Sequence, residues 1–125
     1  MEYNIDIVKE LLDEIIDDID TRLFEGLNGG VVLHEDIKYH PESINNDLVI
    51  LGEYQRHGVM RRINIYYGSI VKIYPHYNID QIKERLKDLV DHELRHHVEY
   101  KAGVNDLVIE DYEYIEEYKR NRDNR

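Results

Sequence analysis

Two histidines four residues apart, with a glutamate directly after the first, make up the segment His92-Glu93-Leu94-Arg95-His96. On a helix turning about 100° per residue, positions i and i+4 share a face, so His92 and His96 can aim two imidazoles at one ion. Glu93 then flanks that ion, where its carboxylate can take a proton from an attacking water. The chemistry that suits this spacing is metal-assisted hydrolysis. The ion acidifies water and polarises a carbonyl, while Glu93 accepts the proton and passes it to the leaving amine. The alternative is that His92 and His96 are ordinary helix histidines and Glu93 a solvated acid.

The chain has no cysteine, so thiolate ligation is excluded and histidine and carboxylate must hold any transition metal. Two imidazoles and a carboxylate suit Zn2+. A catalytic zinc site usually combines three side chains with one open position, so another ligand is needed. The first glycine after the motif is Gly103, roughly 10 Å past His96 along a continued helix, and the chain must travel back from there. Asp111 has the reach and is the preferred third ligand; Glu110 comes next, and Asp106, close behind Gly103, is third. Each of these acids also suits a turn or a helix N-terminus. Glu99 shares the face of His92 and His96 but reads as a supporting or surface carboxylate. His97, turned about 100° from His96, reads as a core or supporting histidine. His34, His40, His57 and His76 show no ligand spacing and receive no role. A tyrosine beside the site could stabilise an oxyanion, but spacing selects none, and Tyr66, Tyr67 and Tyr74 read as packing residues.

The motif must sit on a helix, and the sequence supplies one. Asn78 followed by Gln81 resembles a capping box, Ile82, Leu86, Leu89, Val90 and Leu94 form an apolar stripe, and the helix can run to Gly103. Nearer the start, Val8, Leu11, Leu12, Ile15, Ile19 and Leu23 predict an amphipathic helix from Ile5, ended by Gly29-Gly30. Val31-Val32-Leu33 reads as a short strand leading into a loop that reaches Asn46, within which Pro41 disfavours a central strand. Leu48 to Leu51 and Ile63 to Tyr67 read as a hairpin connected through Gln55 to Met60. Ser69 to Tyr74 continues the strand pattern beyond Gly68 until Pro75. Glu110 to Arg120 reads as a last, charged helix. The expected fold is therefore α+β, with an N-terminal helix, a small, mostly antiparallel sheet, a long helix carrying the motif and a C-terminal helix, in one domain spanning residues 1–125.

Size and charge narrow the function classes. A chain of 125 residues, 42% of them hydrophobic, suits a single core. No stretch approaches the roughly 18 to 20 apolar residues of a membrane span, and the first residues lack the blocks of a signal peptide, so the expected location is the cytoplasm. A formal net charge of -11 opposes a nucleic-acid partner. The basic residues from Lys119 to Arg125 read as a solvated end. A peptide or protein substrate is expected, and nothing in the pattern sets an oligomeric state.

The doubled second histidine of His92-Glu93-Leu94-Arg95-His96-His97 adds a further signal. Together with Leu27-Asn28-Gly29-Gly30-Val31, Leu48-Val49-Ile50-Leu51-Gly52-Glu53-Tyr54 and Ile63-Asn64-Ile65-Tyr66-Tyr67-Gly68-Ser69, it resembles the small bacterial zincin-like metallopeptidases, a family described as possible zinc-dependent peptidases. The resemblance implies a zincin-like α+β domain with His92 and His96 as metal ligands and Glu93 as general base. Shorter members follow the doubled histidine with Phe-Gly. Here Val98-Glu99-Tyr100-Lys101-Ala102-Gly103 stands instead, which leaves the third ligand open. Two functions are expected from this chain: a zinc metallopeptidase holding an extended peptide along a sheet edge, or a metal-stabilised, catalytically silent binding or regulatory module.

Overall fold

A computed structural model describes residues 2–103 and 114–120. Helix α1 (Ile5–Asp17) starts where the Asn4 side chain accepts from the Ile7 N–H at 2.9 Å, and it buries Val8, Leu11, Leu12 and Ile15. It ends ten residues short of Leu27, the end that the apolar stripe suggests. Its last turn has no basic residue, and Asp17 and Asp18 place negative charge at the negative end of the helix dipole. Asp20 then caps a 3-10 turn, Thr21–Phe24, through the Arg22 N–H. Asp side chains favour such caps over helix interiors, so the chain breaks there.

The strands are β1 (Val31–His34), β2 (Lys38–Tyr39), β3 (Val49–Ile50), β4 (Gly52–His57) and β5 (Met60–Tyr66). The expected hairpin exists, but its first strand is β4 rather than Leu48 to Leu51, and Gly58-Val59 makes its turn. The Leu48 to Leu51 stretch instead contributes β3, which pairs antiparallel with β2. The main sheet has the order β1-β5-β4 and is mixed, because β1 runs parallel to β5 with Val31 opposite Ile63. A mostly antiparallel sheet therefore describes the β4–β5 and β2–β3 ladders but not the β1–β5 pair.

The extended reading of Ser69 to Tyr74 is corrected: Tyr67–Ile73 is a helix, α2. A Cβ on Gly68 would lie 2.6 Å from the Ile37 backbone nitrogen, so only glycine lets this turn press against the 36–37 backbone. The Gly68 N–H donates to the carbonyls of Glu35 and Asp36, and the Ser69 hydroxyl accepts from the Lys38 N–H at 3.0 Å. These tertiary bonds override the strand preference of a short β-branched run.

Helix α3 (Ile79–Ala102) follows the sequence expectation at both ends: Asn78 and Gln81 form both bonds of a capping box, and Gly103 closes it in the left-handed region. Replacing Asn78 with Ala is expected to lower unfolding stability by about 1 kcal/mol, read as a shift in the urea midpoint at unchanged slope. Buried Ile82, Leu86, Val90 and Leu94 join Ile63 and Ile65 of β5 and the α1 stripe in one core cluster. The described residues are thus α+β, with α3 lying across the sheet beside α1. Residues 114–120 are helical, as expected for the end of the chain; residues 110–113 of that expected helix lie outside the described residues. Among the described residues no helix is long and apolar enough to cross a membrane.

Candidate metal centre

One turn of α3 brings the His92 and His96 rings to a centroid separation of 4.9 Å at 86°. Ligand atoms of His92, Glu93 and His96 all lie within 4.8 Å of one another. The spacing follows from the helix: four residues advance the chain by about 6 Å and return it to the same face. Glu93 is 6% exposed. Its carboxylate is therefore held at the wall of the cleft rather than solvated on the outer face of α3. The two imidazole nitrogens gathered in this way fit the ligand chemistry of zinc, with the Glu93 carboxylate beside them placed to act on a water. Asp111, Glu110 and Asp106, the candidates for a further ligand, lie outside the described residues. Glu99 does not join the group; it accepts from Arg95 at 3.1 Å one turn along.

The site opens into a cleft of about 480 Å³ between α3 and the chain from Leu48 to Arg56. Leu48, Ile50, Leu51 and Leu89 give it apolar walls, and His40, Tyr114 and Ile115 border it as well. Helix and strand approach closely because residue 52 is glycine: a Cβ there would meet Leu89 Cδ1 at 3.1 Å and the Asn64 carbonyl oxygen at 3.0 Å.

Strand β4 is an edge of its sheet. The Tyr66 N–H donates to the Leu51 carbonyl at 2.9 Å, and Glu53 and Gln55 stand opposite Asn64 and Arg62 in the same ladder. Because antiparallel pairs alternate, the N–H and C=O groups of Gly52, Tyr54 and Arg56 point away from β5 toward the open edge.

His97 is fully buried and braces this arrangement. Its Nε2 lies 2.8 Å from the Glu25 carbonyl, which can only accept, so Nε2 carries the proton and Nδ1 accepts from the Tyr54 hydroxyl at 2.6 Å. Burial pushes the Tyr54 hydroxyl up, so it remains a donor at neutral pH. The ring thereby ties α3 to β4 and to the chain after the 3-10 turn, the supporting role its position suggests. His34 stacks on Tyr66 and reaches Asn64 Oδ1 at 2.8 Å, whereas His57 and His76 are exposed. His40 is the residue that sequence spacing missed: only the tertiary fold carries it to the cleft.

On the other face of β4, Glu53 accepts from Lys38 Nζ at 2.7 Å and from the Tyr66 hydroxyl at 2.5 Å. Burial pushes the Glu53 carboxyl up, but these hydrogen bonds and the Lys38 charge outweigh it and hold the group below the ordinary glutamate range. A depressed folded pKa contributes stability above that range and loses it as pH falls through the range toward the folded value. The stability gap between the wild type and Glu53→Gln is therefore expected to narrow as pH falls through the carboxylate range, read from urea titrations at a series of pH values.

No family model matches the chain, and no curated protein matches it. Among solved structures, a conserved hypothetical protein from Thermus thermophilus is similar, with a TM-score of 0.65 and 27% identity, covering 75% of this chain and 92% of that one.

Proposed function

We propose that the chain is a zinc-dependent metallopeptidase of zincin-like fold that hydrolyses a peptide bond in an extended substrate. The observation that carries this reading is the convergence of His92, Glu93 and His96 on one turn of α3, facing a cleft beside a strand edge that is unpaired among the described residues. His92 and His96 would hold the ion, with Asp111 the preferred third ligand, and Glu110 and then Asp106 as its alternatives. Bound zinc supplies Lewis acidity, which makes water a better nucleophile and a carbonyl a better electrophile at neutral pH.

The protein's own groups do the rest. The substrate adds as a strand to the free edge of β4, pairing with the backbone of Gly52, Tyr54 and Arg56, which brings its scissile carbonyl to the motif face of α3. Glu93 takes a proton from water as the oxygen bonds to the carbonyl carbon. When the carbon–nitrogen bond breaks, the same proton goes to the departing amine, so a free amine and a carboxylic acid leave, the acid gives the second water proton to solvent, and Glu93 is again ionised. The apolar walls formed by Leu48, Ile50, Leu51 and Leu89 suit a bulky apolar side chain next to that bond.

The test is metal analysis and hydrolysis on one preparation. About one zinc per chain and cleavage of a mixed peptide library, lost with a chelator and restored by zinc, are expected. A folded protein that takes up no divalent ion from zinc-containing medium would overturn the proposal.

A further inference from the structure

His40 stands on the wall of the cleft that contains His92, Glu93 and His96. Three bonds hold it in place. Its N–H donates to the Leu48 carbonyl at 3.0 Å, its carbonyl accepts from the Ser43 N–H at 2.9 Å, and its Nδ1 accepts from the Glu42 N–H at 3.0 Å. A backbone N–H can only donate, so Nδ1 must present a lone pair and the neutral ring carries its proton on Nε2. That Nε2–H has no hydrogen-bond partner among the described residues. A nitrogen bearing a proton has no lone pair in the ring plane and cannot ligate a metal. His40 is likewise outside the group whose ligand atoms converge. The ring is thus a fixed hydrogen-bond donor, unpartnered among the described residues, in the same cleft as residues suited to hydrolysis.

We infer that His40 is a further catalytic residue, which donates its Nε2–H to the oxygen of the scissile carbonyl as negative charge builds there. The inference rests on the peptidase reading above. A donor fixed before the reaction begins stabilises a developing oxyanion without having to reorganise, and removing one such donor commonly lowers kcat by about 100- to 1000-fold. His40 moves no proton in this role: the water proton goes to Glu93 and then to the amine. The bonds to Leu48, Ser43 and Glu42 hold the donor in the loop that lines the cleft.

Two experiments test it. In metal-free wild-type protein, long-range 1H–15N spectra of the imidazoles are expected to show His40 as the Nε2–H tautomer with Nδ1 unprotonated; the opposite tautomer overturns the inference without any activity measurement. In zinc-loaded protein, His40→Asn keeps an oxygen that can accept the Glu42 N–H as an Asx turn but removes the distal donor. Zinc content is expected to be unchanged, KM to stay within about twofold and kcat to fall about 100- to 1000-fold. His40→Gln, which restores an N–H at longer reach, is expected to recover about tenfold of that loss. Loss of zinc from His40→Asn would make the residue a ligand and overturn the inference, as would full kcat. So would a loss found in Tyr114→Phe and absent from His40→Asn, because it would assign the donor to Tyr114, another residue of the cleft lining. A zinc-loaded wild type inert toward every peptide removes the peptidase reading and this role together, whereas an active wild type with a fully active His40→Asn removes this role alone.

Discussion

Glu93→Gln is expected to lower peptide hydrolysis by about 100- to 10,000-fold, the range that a positioned general base contributes, while the protein still takes up its zinc. The substitution is nearly isosteric, and Gln retains an oxygen that can accept hydrogen bonds at the buried wall where Glu93 sits 6% exposed. What it loses is the ability to take a proton. Turnover measured against a peptide library, beside metal analysis of the same sample, separates the two contributions. The outcome also decides between the two functions expected from the sequence. Zinc-dependent cleavage abolished in Glu93→Gln excludes the silent binding module. A wild type that gains stability from zinc but cleaves no peptide supports that module instead.

The second large effect concerns the ligands. Replacing His92 and His96 together with Ala is expected to abolish zinc uptake and, with it, the rise in thermal stability on adding metal. At a free zinc concentration about a thousandfold above Kd, an ion that binds only the folded chain stabilises it by about 4 kcal/mol. In a protein of this size that corresponds to a rise in Tm of roughly 10 to 20 °C. The doubly substituted chain should still fold, because the buried face of α3 is made by Ile82, Leu86, Val90 and Leu94 and not by the two ligands. Calorimetry of both proteins with chelator and with excess zinc measures the difference directly. An equal zinc-induced shift in the two proteins would show that the ion binds elsewhere.

Both predictions depend on features that could be read locally. Helix α3 was legible because its start, stripe and stop are all encoded within one stretch: Asn78 and Gln81 for the capping box, Ile82 to Leu94 for the buried face, Gly103 for the end. The motif was legible for the same reason, since a helical repeat converts spacing along the chain into a shared face. Features set by distant contacts were not. Ser69 to Ile73 is β-branched and apolar enough to pass for a strand, and it is helical because Gly68 and Ser69 bond to the 35–38 segment. The parallel pairing of β1 with β5 joins residues about 30 positions apart and leaves no local mark. His40 has no partner at ligand spacing, and it reaches the cleft only through the bonds to Leu48, Ser43 and Glu42. The early end of α1 carried a signal, the acids Asp17, Asp18 and Asp20, but the apolar residues Ile19 and Leu23 continue the stripe past it.

The His97 ring, hydrogen-bonded to Tyr54 on one side and Glu25 on the other, has a consequence for how the site is filled. Helix, edge strand and loop are fastened to each other by protein atoms alone, so the His92 and His96 rings do not depend on an ion to be brought side by side. If the proposed ion binds there, such a scaffold is expected to load and release it without melting, unlike small domains that collapse when stripped. Under the proposed metallopeptidase reading, ion supply in the surroundings, more than refolding, would govern what fraction of molecules is competent at any moment.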